Sequence, residues 1–116
     1  MDKNAFKERA KALWAERATH CVEVPEWSGK IHYKTPNLAT LKSVMAESKG
    51  DPIEFSARIV VACAMDENGE KIWSKAEYLD LMKAVDPAVV NRIGNAIVSE
   101  AKIVLTPEAM ADDEKN

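Results

Sequence analysis

The stretch from Cys21 to Pro36, Cys-Val-Glu-Val-Pro-Glu-Trp-Ser-Gly-Lys-Ile-His-Tyr-Lys-Thr-Pro, is the only segment with the composition of β-structure, and everything after it carries helical periodicity. Valines, Trp27 and Tyr33 bracket Ser28-Gly29, which predicts two short antiparallel strands joined by a tight turn. With Ser28 and Gly29 as the whole loop, Trp27 faces Lys30, Pro25 faces His32 and Glu23 faces Lys34, leaving Val22, Val24, Ile31 and Tyr33 on the opposite face. A one-residue slip would set Ile31 and Tyr33 among the charges, which argues for this pairing over its neighbours. Serine is poorly suited to positive φ, so a longer loop with a bulge at Gly29 is the alternative. Pro25 lacks an N–H and suits an edge strand, and a lone hairpin is marginal in water. Its apolar face therefore needs helices.

Helical signals supply them. From Asp2 to Ala18, Phe6, Ala10, Leu13, Trp14 and Ala18 form an amphipathic stripe, for which packing onto the hairpin is favoured over a partner-binding face. Thr35-Pro36 resembles a helix start, and Leu38, Leu41, Val44 and Met45 mark a helix over about 37–48 with Gly50 available as a left-handed cap. Asp51-Pro52 opens a further helix, whose residues Phe55, Ile59, Val60, Val61, Ala62 and Cys63 are apolar almost all round; it should be the core helix. Asp66-Glu67-Asn68-Gly69 reads as a tight turn rather than a calcium loop, because Lys71, Ile72 and Trp73 stand where oxygen ligands would be needed. Ser74 to Glu77 fits a capping box, before a helix to about Val85 with Tyr78, Leu79, Met82 and Val85 inward. Asp86-Pro87 opens the last helix, expected to run through about Val104. Residues 106–116 read as a flexible acidic tail behind a single domain over 1–105. The expected fold class is α+β, mainly helical: one short antiparallel hairpin packed by an N-terminal helix and about four further helices.

A formal net charge of −3 argues against nonspecific nucleic-acid binding, which needs a basic stripe to displace counterions. Two cysteines without a CxxC spacing fit a reducing compartment, and no apolar run is long enough for a membrane span. His20, Cys21 and His32 are the only zinc-type cluster, and the register weakens it: His32 and Cys21 share a face a diagonal apart, while His20 points away. Cys63 sits on the most apolar helix with no histidine nearby to activate it, and reads as a small core residue. There is no phosphate loop, nucleophile elbow or HExxH. No catalytic, cofactor-binding or metal-ligating residues are expected, and the chain does not read as an enzyme. The tryptophans are the remaining unusual feature, since large aromatic rings anchor protein interfaces as well as cores. Trp27, Tyr33 and Trp73 are the candidate partner-binding residues.

Val24-Pro25-Glu26-Trp27 with Gly29, the Asp66 to Gly69 turn, Trp73, and the Ser74 to Glu77 cap occur in the order seen in the tail assembly chaperones of long-tailed bacteriophages. The chain resembles that family over roughly residues 19–101, with Ser28 in place of the first Gly of a "VPEWGG"-like hairpin and Trp73 where Phe is more usual. The resemblance implies a nonvirion protein of the host bacterial cytoplasm, encoded by a phage or prophage and absent from the mature virion. By the same resemblance such a protein would bind the tape-measure protein, keep it soluble and help recruit tail-tube protein; no cofactor, nucleic-acid or membrane partner is expected. Many members are also made in a longer, frameshifted form, and Glu114-Lys115-Asn116 is compatible with the slippery codons GAA-AAA-AAC. Two other readings are a structural tail protein, such as a tube or terminator subunit, and a small nucleic-acid-binding module using Lys3, Lys7, Lys11, Lys30 and Lys34.

Overall fold

The structure, a computed structural model, describes residues 2–101. Its elements run α1 (Lys3–Ala15), β1 (Thr19–Val24), β2 (Gly29–Lys34), α2 (Leu38–Ser48), α3 (Pro52–Cys63), α4 (Tyr78–Ala84) and α5 (Pro87–Ala101), with short 3-10 turns at Pro25–Trp27 and Lys75–Glu77. The fold is α+β and mainly helical, with one antiparallel hairpin, as the sequence predicts. The expected helical residues 102–104 and the acidic tail lie outside the described residues.

The hairpin register differs from the two-residue-loop expectation. Val24 pairs with Gly29, Glu23 with Lys30, Val22 with Ile31 and Cys21 with His32. Pro25 has no N–H to give a ladder, and Pro25 to Trp27 wind instead into a 3-10 turn closed by Ser28 N–H donating to Pro25 O at 3.0 Å. Ser28 takes the left-handed conformation (φ 55°) that the tight turn demands. Glu23 meets Lys30 rather than Lys34, an even displacement, so the expected inner face survives: Val24, Ile31 and Tyr33 are buried and Val22 packs beside them. On the other side of β2, Met65 exchanges two backbone hydrogen bonds with His32, at 2.7 and 2.9 Å, and so extends the sheet by one bridge.

α3 is the central helix, as its near-uniform apolarity implies. Asp51 caps it by accepting from the N–H groups of Ile53 and Glu54, and Phe55, Ala57, Ile59, Val60 and Val61 are buried. α2, α4 and α5 pack around it, and α5 also touches both strands. The α3–α5 crossing is close because of Gly94: a Cβ there would stand 3.1 Å from the Cα, Cβ and carbonyl oxygen of Ser56. Tyr33 fastens the hairpin to the same helix, its hydroxyl donating to Ala96 O at 3.3 Å.

Three local expectations are corrected. α2 is capped by Asn37, whose side chain accepts from Thr40 N–H at 2.8 Å, so Pro36 precedes the helix and is buried. At its far end Lys49 is itself left-handed (φ 51°), ahead of Gly50 (φ 82°). In α4, Leu81 is the buried residue while Leu79 and Met82 are exposed. The tighter 3-10 turn at Lys75–Glu77 sets the phase so that Tyr78, Leu81 and Val85, at i, i+3 and i+7, face the core.

Candidate functional site

The three residues singled out as partner contacts have different fates. Tyr33 is 3% exposed and belongs to the core, so it is withdrawn as a surface contact. Burial raises its hydroxyl pKa, and the Glu100 carboxylate adds to the rise. Trp27 and Trp73 are half-buried and meet edge to face, ring centroids 6.0 Å apart, both packed on the core. Their shared surface joins the hairpin tip to the segment after Met65, and spends much of the aromatic area on intramolecular contact.

The hairpin tip is strapped down next to this pair. Arg92 on α5 grips Glu26 with two parallel hydrogen bonds of 2.8 Å, the planar fork that suits a carboxylate. The guanidinium lowers the Glu26 pKa from 4.5 to about 2. A folded-state pKa below the unfolded one means that this contribution is complete above about pH 4.5 and is lost as pH falls towards about 2. Glu26→Gln should therefore flatten the acid limb of a melting-temperature profile across that window. An unchanged limb would show the strap to be without consequence for stability.

Among the described residues, α1, which the sequence reading assigns to the core, carries a run of exposed apolar side chains. The helix forms as expected, capped by Asp2, but none of its residues is buried. Phe6 is 61% exposed, Leu13 60% and Trp14 39%, correcting the expectation that Phe6 and Trp14 pack on the hairpin. Its end is held by Arg17, whose Nε donates to Thr35 O at 2.9 Å and whose guanidinium lies 4.3 Å from the Trp14 ring centroid. Trp14 thereby forms a wall of a hollow of about 700 Å³ shared with Pro36, Leu38, Leu41 and Ala101. Leu38, read from sequence as a core position, is 79% exposed there. The missed signal was available: α1 is polar on more faces than the stripe can offset, and Leu38 is the first residue of its helix, where no preceding turn shelters it.

A second hollow, of about 310 Å³, opens between α2 and α3. Its walls are apolar at Val44, Val61 and Ala62, and it carries Arg58, Lys71 and Lys75 against one carboxylate, Glu47. Glu47 accepts from Arg58 at 3.1 Å and lies 3.7 Å from Lys75 Nζ, and the Arg58 guanidinium sits 4.1 Å from the Tyr78 ring centroid.

Other candidate chemistry finds less support. Cys21 stands directly opposite His32 rather than a diagonal away, while His20 points to the inner face and Glu100. Among the described residues no group of three or more His, Cys, Asp or Glu is placed to hold a metal ion, and no helix is long and apolar enough to cross a membrane. Burial pushes the Cys63 thiol up to about 11, which disfavours the nucleophilic thiolate. The lysines proposed for nucleic acid are interleaved with carboxylates: Lys30 pairs across the hairpin with Glu23, and Lys11 lies 3.6 Å from Glu8.

Among solved structures, the fold is similar to the structure of the bacteriophage HK97 tail assembly chaperone, at 17% sequence identity and a TM-score of 0.60, covering 83% of this chain and 93% of that one. No protein-family model and no curated protein matches the sequence.

Proposed function

We propose that this chain is a tail assembly chaperone of a long-tailed bacteriophage. It acts without catalysis in the host cytoplasm, binds the tape-measure protein, keeps it soluble and brings tail-tube subunits to it, and is absent from the finished virion. The observation that carries this reading is α1: a helix with an apolar stripe and no buried residue, on a fold shared with a tail assembly chaperone. A tape-measure protein is a long helical chain whose apolar stripes need cover until the tube surrounds it. Phe6, Ala10 and Leu13 recur at i, i+4 and i+7, the spacing with which one helix lies along another. Trp14 and Leu38 continue the apolar surface into the adjoining hollow.

Co-expression with the long helical protein encoded beside it tests the proposal. The partner should move from the insoluble to the soluble fraction and co-elute with this chain, and purified virions should lack the chain. A partner that stays insoluble would count against the chaperone reading. Recovery of the chain as a stoichiometric component of particles would favour a structural tail protein instead.

A further inference from the structure

The charges of α1 are sorted as sharply as its apolar residues. Within Lys3–Ala15 stand Lys3, Lys7, Arg9 and Lys11 against Glu8 alone, which leaves 12 of the chain's 16 Lys and Arg beside 18 of its 19 Asp and Glu in the remaining residues. An acidic chain thus carries a basic first helix. Residues four apart form rows along a helix, so Phe6, Ala10 and Trp14 share one row with Leu13 at its side. Lys3, Lys7 and Lys11 make the next row on one flank, and Arg9, four residues before Leu13, edges the other. Glu8 lies beyond the lysine row, on the side away from the stripe.

The helix itself gains nothing from this placement. Lys3 stands at the N-terminal end, where the backbone dipole favours an anion, the first turn holds no acidic residue, and like charges at i, i+4 repel. Among the described residues, Lys11 has one ion pair, 3.6 Å from Glu8 and well exposed, while Lys3, Lys7 and Arg9 have none.

We infer that α1 selects an acidic helix: a partner whose apolar stripe lies along Phe6, Ala10 and Leu13, and whose flanking positions carry Glu or Asp against Lys3, Lys7 and Lys11 on one side and Arg9 on the other. The inference rests on the reading of α1 as the docking helix and adds the charge of what docks there. The stripe is narrow and Ala10, at its middle, is small, which suits one helix laid along another; a helix that lies on a membrane needs a broad face of large apolar side chains. Set against carboxylates, the lysine row loses the repulsion between its own members. The remainder of the chain, acidic in balance, repels the same partner, so charge directs an acidic helix to α1 and away from the rest.

Two synthetic helical peptides, identical along a stripe of Leu and Ala and flanked by Glu in one and by Lys in the other, test this against the full chain by fluorescence anisotropy. The Glu-flanked peptide should bind at least about tenfold more tightly than its twin at about 0.05 M salt, and the ratio should fall to about threefold or less at about 0.5 M as screening tightens. Lys7→Glu, Arg9→Glu and Lys11→Glu together should reverse the preference, a result that loss of folding could not produce; all three positions are exposed. Equal binding of the twins, or an unchanged preference for the Glu-flanked peptide in the triple variant, would overturn the inference. Binding of neither peptide, together with retention on phosphatidylglycerol vesicles, would overturn it in favour of a membrane surface. Equal binding that Phe6→Asp with Leu13→Asp abolishes would keep α1 as the docking helix and remove only its charge preference. Neither peptide is the natural partner, so the co-expression result judges the chaperone proposal independently.

Discussion

Gly94→Val should lower the unfolding free energy by about 2–3 kcal/mol, a drop of roughly 10–20 °C in melting temperature for a domain of this size. The cause is backbone. The new Cβ would stand 3.1 Å from the Cα and the carbonyl oxygen of Ser56, atoms of the central helix that no rotamer change can move away. The two methyl groups must then also find room between α3 and α5, whose facing residues Ile59, Ile93 and Ile97 are fully buried. Better helix propensity than glycine returns only about 0.3–0.5 kcal/mol. Gly94→Ala separates the two effects: it adds the Cβ alone and gains about 1 kcal/mol in propensity, so it should come out near neutral to mildly destabilising. Thermal melts of both variants decide the matter. A Val variant as stable as the parent would mean that α3 and α5 can separate freely, and that the close crossing is incidental.

Phe6→Asp together with Leu13→Asp should weaken retention of the helical partner by roughly 100-fold while leaving the fold intact. Burying one such side chain at an interface contributes about 1.5–3 kcal/mol, and a tenfold change in affinity corresponds to about 1.4 kcal/mol. Both side chains are about 60% exposed in the isolated chain, so their loss should shift stability by no more than about 0.5 kcal/mol. The pair of readouts is the point: co-elution lost with an unchanged melting curve places the partner on α1. Retained co-elution would move the docking face elsewhere, and Trp27 and Trp73 would be the next residues to replace.

Where the sequence was most legible, local chemistry and burial agreed. Asp51-Pro52 announced α3 because the cap and the fixed φ of proline act within a few residues, and its run of apolar residues left no face for water. The hairpin faces were legible for a similar reason, since any even register keeps Val24, Ile31 and Tyr33 together. The register itself was not, because it turned on whether Pro25 to Trp27 would stay extended or coil, and Arg92, which holds Glu26 of that turn, lies 66 residues away in sequence. α1 failed for the opposite reason. A stripe at helical spacing states that a surface is apolar and says nothing of whether the cover belongs to the same chain. The same ambiguity governed the candidate contacts: Tyr33 and Trp27 are both aromatic residues of one hairpin, and only α5 and Trp73, distant in sequence, sort the core residue from the half-buried one.

The ties between hairpin and α5 also set an order of events during synthesis. Tyr33 and its acceptor at Ala96 are 63 residues apart, and Glu26 and Arg92 are 66 apart. At about 5–20 residues per second, the ribosome takes roughly 3–13 s to make that interval. The two strands can pair early, but the contacts that α5 makes with both of them wait through that time. A protein proposed to shelter another chain's apolar surface thus begins as a nascent chain with an apolar surface of its own exposed, and α5, the last of the described helices, is the one that joins the hairpin to the rest of the core.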